Sequence, residues 1–410
     1  MTAASGDADF DIVIAGGGMV GASLAVALAG QPLRIALVEA LPFGAPAQPS
    51  FDARTVALSR SSFRILATLG IWPDIAGAAA TIRRIHVSEQ GCFGTALIDA
   101  DQQGVPALGY VLDNRELGAA LWTRLSAQGN CQVHAPARVT GTEPDGERLR
   151  LALAGDGCPS TLTARLLVVA DGARSALRPA LGIGARVQGY GQGAIVGNVA
   201  VSRPGSRDMA FERFTPEGPL ALLPAGGGRY AFVLARETAR LQPTLELPDA
   251  GFLALLQQTF GWRLGRLTRL GRRAAYPLEL TVADRVTAPR AVLVGNAAHA
   301  LHPVAAQGYN LGLRDVAALA ELLADGAGGD PGAPALLARY AHWREADQRN
   351  VVAFTDGLIR LFGLAGTGLP ALRGAGLQLF DLLPPAKRVL AHHSMGLSGR
   401  VTRLARGLRP

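Results

Sequence analysis

Residues 10–29 read FDIVIAGGGMVGASLAVALA, and residues 34–40 follow as RIALVEA. Phe10, Ile12, Val13 and Ile14 form a short apolar run suited to a strand buried on both faces. Gly16, Gly18 and Gly21 then supply G-x-G-x-x-G at the opening of an apolar helix. The first glycine permits the tight turn, the second lets a pyrophosphate approach the backbone, and the third lets helix and strand pack closely. The helix start offers unpaired N–H groups and a favourable dipole to that anion. Glu39 ends the next strand, 18 residues beyond Gly21, where a carboxylate can accept hydrogen bonds from an adenosine ribose. It also disfavours a 2′-phosphate. The pattern predicts a dinucleotide site and does not separate FAD from NAD.

The stretch from Ile12 to Leu33 carries no charge and is long enough to cross a bilayer. Its glycine run punctuates it as strand, turn and helix, so a buried βαβ start is the expectation. The acids of MTAASGDADFD, with no basic n-region, argue against a secretory signal. Three widely separated cysteines (Cys92, Cys131, Cys158) fit neither a metal site nor a disulfide framework. A reducing cytoplasm suits them.

A chain of 410 residues, 49% hydrophobic and 18% charged, can bury the core of a multi-element globular protein. Its formal charge of +8 is uneven, because no acid follows Asp381 while Lys387, Arg388, Arg400, Arg403, Arg406 and Arg409 accumulate. Such a tail suits an anionic lipid surface or another acidic partner, and equally suits simple solvation of the chain end. No aromatic–basic interleaving accompanies it, so nucleic acid is not an expected partner.

Further along, residues 41–49 read as irregular and Pro-rich, with a helix from about Ser59 to Leu69. Residues 81–90 and 95–100 alternate as strands. NRELGAALWTRLSAQG (114–129) reads as a helix with Asn114 as its cap, and Asp145-Gly146 reads as a hairpin turn. ARLLVVADGARSALR (164–178) is another buried strand, reaching Asp171-Gly172. From about 183 to 280 the pattern becomes strands broken by turns, with one helix near Ala250–Phe260. Residues 289–324 return to strand, glycine loop and helix. Beyond Pro334 the pattern is helical, with Trp343, Phe354, Ile359, Leu361, Phe362 and Leu377 to Leu383 as expected packing residues.

Three separated segments, GGGMVG (16–21), ADGARSALR (170–178) and LVGNAAHALHPVAAQGYNLGLRD (293–315), together resemble the class A FAD-dependent aromatic hydroxylases of the 4-hydroxybenzoate hydroxylase type. FDARTVALS (51–59), TDGLIRLFG (355–363) and HHSMGLSG (392–399) resemble its ubiquinone-biosynthesis branch. Gly295-Asn296, where most members have Gly-Asp, is closest to the 2-polyprenyl-6-methoxyphenol hydroxylases. The resemblance implies an α/β fold: a Rossmann-like FAD-binding domain (1–75, 100–182 and 281–330), an inserted mixed β-sheet substrate domain (76–99 and 183–280), and a helical C-terminal region with a basic tail (331–410).

It also implies FAD in the glycine-rich site and NAD(P)H as a transient co-substrate without its own Rossmann domain. The implied reaction is hydroxylation of a polyprenylated phenol with O2 through a flavin C4a-hydroperoxide, in ubiquinone biosynthesis. A related monooxygenase of soluble phenols and a flavin-dependent isoprenoid reductase are the alternatives. A homo-oligomer, a ubiquinone-biosynthesis complex and peripheral contact of a cytoplasmic protein with the inner membrane are all compatible with it.

The resemblance also suggests roles for residues. Gly16, Gly18, Gly21, Glu39, Arg54, Arg115, Asp171 and Gly172 would serve the dinucleotide, with Arg174 and Arg178 as partners for Asp171. Asn296 after Gly295 would contact the ribityl chain, keeping an acceptor and adding a donor. Pro303 and the run Ala306-Gln307-Gly308-Tyr309-Asn310 would wall the isoalloxazine, the loop backbone mattering more than the side chains of Tyr309 and Asn310. His302, beside that wall, is a candidate for phenol deprotonation; a structural, hydrogen-bonded histidine is the competing reading. His299 and His302 lack a third ligand, and no metal is expected.

Overall fold

A computed structural model of the chain describes residues 8–42, 44–45, 54–203, 207–364 and 368–410. Most of the Pro-rich stretch 41–49, and residues 51–53 of the FDARTVALS motif, lie outside the described residues.

The opening strand Phe10–Ala15 lies at the heart of a parallel array. Cys131–His134, Ile35–Val38, Phe10–Ala15, Thr161–Val169 and Ala291–Leu293 run side by side in that order. Because strand side chains alternate, Ile12, Ile14, Ile35, Leu37, Leu166 and Val168 share one face. There they pack with the helices Met19–Ala27, Asn114–Ser126 and Gln307–Asp325. Val13, Ala15, Ala36, Val38, Leu167 and Val169 take the other face, joined by Val139, Leu149 and Leu151 of an antiparallel hairpin. Each large side chain so buried contributes about 1.5–3 kcal/mol. The hairpin turns at Asp145-Gly146 as its sequence predicts, Asp145 pairing with Arg148.

A second, mixed sheet of nine strands is centred on the 17-residue strand Ala185–Val201. The strands Arg229–Glu237, Leu220–Pro224, Met209–Phe214, Arg84–Glu89 and Thr95–Asp99 extend it to one side, and Ala274–Ala283 to the other. In its core Phe232 and Phe211 pack against Phe252 and Phe260 of the helix Asp249–Phe260. The short strand His299–Ala300 pairs with Thr281 and Val282 of this sheet, six residues after Leu293 leaves the parallel one. The chain at 294–306 therefore crosses from one sheet to the other, which puts the glycine loop in the cleft between them. The expected α/β class, with a parallel dinucleotide-type sheet, a mixed sheet and a helical C-terminal region, is the architecture observed.

Three local expectations change. The helix at 114 begins one residue early: Asp113 is the flanking residue without a side-chain cap, and the Asn114 amide is taken by the Arg54 carbonyl at 2.9 Å. Not all the C-terminal leucines are core. Leu361, Leu379, Leu382 and Leu383 are exposed, because the helix Leu369–Asp381 meets the mixed sheet along one side only. Gly94 allows that approach, since a Cβ there would fall 1.8 Å from the Gly374 carbonyl oxygen. The basic tail is partly folded back, with Lys387 on Asp381, Arg400 on Glu321 and Arg403 on Asp325. Those three cations are engaged within the molecule and add little attraction for an acidic partner.

Candidate active site

The cleft between the two sheets encloses a cavity of ≈ 960 Å³. Gly16, Gly18, Glu39, Arg54, Asp171, Gly172, Asn296, Pro303, Gly308 and Tyr309 all line it. Loops separated by well over a hundred residues thus converge on one space.

The glycine turn is held by close approaches that a side chain would obstruct. Gly16 has φ +109°, and a Cβ there would stand 2.4 Å from the Ala170 carbonyl oxygen. Gly21 faces back on the same turn, where a Cβ would fall 1.9 Å from the Gly16 oxygen. Gly18 is the residue before the helix and leaves its start without a capping side chain, so first-turn amides remain for a ligand. Glu39 is buried; its Oε2 accepts from Gly17 N at 2.6 Å and its Oε1 from Leu41 N at 2.9 Å. The carboxylate therefore braces the glycine turn as well as facing the cleft.

At the end of Thr161–Val169, Oδ2 of Asp171 accepts from the amides of Ala176 and Leu177. Its Oδ1 is buried without a hydrogen-bond partner among the described residues. A buried acceptor left over at a cleft wall fits a ligand hydroxyl or water. Arg178 does not serve Asp171 but donates to the Ala297 carbonyl at 3.1 Å, while Arg174 lines the cleft. Arg54 lies over the Tyr276 ring, 4.8 Å from its centroid. Arg115 is exposed on its helix and is not part of the cleft wall.

The crossing loop supplies the remaining wall. Gly295 has φ +59° and packs against Val20, while Asn296 points to the cleft side. Ala305 and Ala306 hold positive φ of 57° and 50°, a conformation costing a non-glycine residue about 1–2 kcal/mol. Ala306 directly precedes the helix Gln307–Asp325, so the amides of that first turn are presented at the cleft. A Cβ on Gly308 would meet nothing within 4 Å; its face is open to a ligand. Tyr309 shares a 3.0 Å hydrogen bond with Ser23, pinning the two helices together, and burial raises its phenol pKa.

Asn310, Gln307 and His302, like Arg115, lie outside the cleft wall. Asn310 staples the loop to the strand Thr55–Ser59, accepting from Ser59 N and donating to the carbonyls of Ala57 and Ala306. Gln307 donates to the Ala305 carbonyl at 3.0 Å. His302 is buried and borders neither cavity. Its Nδ1 accepts from Val304 N at 3.1 Å, and burial lowers its pKa to about 4. It is neutral near pH 7. His299 is engaged with Asp315 at 2.7 Å, and no group of residues suited to a metal occurs among the described residues.

Beyond the loop lies a second cavity of ≈ 590 Å³, reached by Gln307 and Asn310. Val87, Leu358, Phe362, Leu377 and Phe380 make it apolar, and its rim includes Leu361, Leu364 and Leu372, all exposed. Ala57, Ile82, Ile85, Glu212, Ala305 and Ala306 border both cavities. Sequence reasoning did not single out Glu212. In MAFERFT an acid between apolar residues reads as an outward strand position, and no local signal says otherwise.

The FAD binding domain family profile matches residues 9–355. Over 410 aligned residues the chain is 39% identical to ubiquinone hydroxylase UbiL of Rhodospirillum rubrum, covering 98% of this chain and 94% of that one. It is 33% identical over 399 residues to 3-demethoxyubiquinol 3-hydroxylase of Escherichia coli, covering 94% and 98% respectively. Among solved structures, p-nitrophenol 4-monooxygenase PnpA from Pseudomonas putida superposes with a TM-score of 0.79 at 19% identity, covering 95% of this chain and 98% of its own. That last likeness speaks to the fold.

Proposed function

From the premise that this chain belongs to the FAD-dependent hydroxylases of the ubiquinone-biosynthesis family, we propose that it hydroxylates the aromatic ring of a polyprenylated phenol. The observation that carries this reading is the apolar cavity set against the cofactor cleft, with one wall in common. The ring would lie at Ala305–Ala306, and the isoprenoid chain would run past Val87, Phe362 and Phe380 to the rim at Leu361 and Leu372. An aliphatic chain gains affinity in such a cavity in proportion to the apolar surface removed from water. A soluble phenol would call for a polar, cation-closed pocket instead.

In this reading the amides beyond Gly16 and Gly18 hold the cofactor's phosphates and Glu39 its adenosine ribose. The free oxygen of Asp171, with Asn296, takes hydroxyl and ribityl groups. The first-turn amides of Gln307–Asp325 stabilise negative charge at the ring system, and Gly308 admits that ring closely. When bound, FAD supplies the redox chemistry: it takes a hydride from NAD(P)H and carries one oxygen atom of O2 to an electron-rich ring. The protein orients the ring, excludes water with the apolar walls, and leaves His302 a structural part. With NAD(P)H and isotopically heavy dioxygen, one heavy atom is expected in a prenylated phenol by mass spectrometry. Reducing equivalents consumed without label in the ring would reject the assignment.

Such a substrate resides in a bilayer, and we propose peripheral docking of the C-terminal helices on the inner membrane. Among the described residues no helix is long and apolar enough to cross one. Leu372 on the rim of the apolar cavity, and Leu379, Leu382 and Val389 on the same helix or just beyond it, are 59–72% exposed. Interspersed single leucines are ordinary on a surface, but several exposed on adjoining helices beside an apolar cavity mark an interaction site. Replacing Leu372 and Leu382 by glutamate is expected to lower the fraction sedimenting with phospholipid vesicles at least about tenfold, since each leucine buried there is worth about 1.5–3 kcal/mol. Unchanged sedimentation would assign those leucines to contact between copies of the chain or with an assembly partner.

A further inference from the structure

One cross-strand row of the mixed sheet floors both cavities. It runs Val196, Val233, Ala221, Glu212, Val87, Ala96 in register. The first three members line the cofactor cleft, the last two the apolar cavity, and Glu212 borders both. A carboxyl in an otherwise apolar row is costly unless something hydrogen-bonds to it. Among the described residues Glu212 has no hydrogen-bond or ion-pair partner. It stands beneath the division between the cavities, across from the strained Ala305–Ala306 loop.

We propose that Glu212 binds the phenolic hydroxyl of the substrate and accepts its proton as the ring is oxidised. This rests on the hydroxylase reading above. In the step the phenolic O–H bond breaks and an O–H bond forms on the carboxylate. The negative charge passes to the phenolic oxygen, which raises the electron density of the ring; no oxidant is involved. When the hydroxylated ring regains aromaticity its displaced C–H proton goes to water, and Glu212 returns its own to the phenolic oxygen. Burial pushes the Glu212 carboxyl up to about 7, which narrows the gap to a phenol and makes it a better proton acceptor. Burial is the whole cause, and no charged neighbour contributes. Its register partners Val87 and Ala221, its same-face neighbours Ala210 and Phe214, and the loop 303–306 carry no titratable group. Of the charged residues in the walls, Arg373 is held by Glu89, Arg54 lies on Tyr276, and Glu279 lies across the sheet. The remaining ones, such as Glu39 and Asp171, stand on the parallel-sheet side of the cleft.

The test compares p-nonylphenol with its methyl ether, which cannot donate, in binding to the FAD-loaded enzyme through the flavin absorption spectrum. A hydrogen bond to a charged acceptor predicts that the phenol binds about tenfold to a hundredfold more tightly. The carboxylate is the required form, so the preference is expected at about pH 8 and to fade by about pH 6. Glu212→Gln should abolish that pH dependence and lower phenol hydroxylation about a hundredfold, with Glu212→Asp recovering part of both. Equal affinity of wild type for phenol and ether, while the phenol is still hydroxylated, would overturn the role of Glu212 alone. Neither binding nor oxygen insertion would overturn the hydroxylase reading and this proposal together. Should the Gln variant fail to fold, the pH dependence of the wild-type preference decides.

Discussion

Gly16→Val is expected to purify without FAD and with an unfolding free energy lowered by about 2–5 kcal/mol. Two independent effects add. A β-branched residue is forced to φ +109°, and its Cβ is driven to 2.4 Å from the Ala170 carbonyl oxygen. Relieving the clash pushes the strand Thr161–Val169 away from Phe10–Ala15 and carries Asp171 with it. Gly308→Ala separates cofactor contact from stability. A methyl there meets nothing within 4 Å, and alanine favours a helix by about 0.5–1 kcal/mol over glycine. Stability should hold or rise while flavin retention falls. Flavin absorbance on purification and urea unfolding measure both; a Gly16→Val protein with full flavin content would displace the cofactor from this turn.

Asp315→Leu should cost about 3–5 kcal/mol, because it takes from buried Arg344 one of its two carboxylate partners and leaves His299 and Gln348 without theirs. Asp315 is fully buried; its Oδ2 meets His299 Nε2 at 2.7 Å, and its Oδ1 accepts from Arg344 at 2.7 Å and Gln348 at 3.0 Å. Arg344 continues to Asp347 at 2.6 Å, and Asp347 to Arg314 at 2.8 Å. Burial alone would raise the Asp315 carboxyl, but Arg344 and His299 hold it well below the usual carboxylate range. A depressed acid stabilises the fold above its unfolded pKa of 3.8 and loses that contribution as pH falls through its folded value. The variant should therefore show a weaker loss of stability in acid than wild type. Replacing Arg344 by methionine as well should recover part of the cost, because the buried cation that lost one of its partners is gone. Additive losses in the double variant would show that the ion pair is not coupled. Function follows from position: His299 anchors the strand that leads into the loop 301–306, so the variant should also bind flavin less firmly.

The dinucleotide turn was legible at 16–21 because its requirements are local. Glycines, an apolar strand and a terminal acid are read within thirty residues, and the structure places them in one cleft. Arg178 illustrates the converse: proximity in sequence to Asp171 does not say that its side chain turns toward Ala297. His302 looked chemical beside the glycine loop, yet its ring faces inward and is edge-on to Tyr190, 5.3 Å away.

Strand and helix periodicity, glycine positions and turn chemistry were sufficient for the α/β class and for an anion-binding start at Gly16, since backbone sterics act between near neighbours. Which side chains share a cavity was decided only by folding. Glu212 meets Val87 through a pairing 125 residues apart in sequence, and no local pattern encodes that register. The division into a cofactor cleft and an apolar chamber likewise exists only once both sheets close around the loop at 301–306.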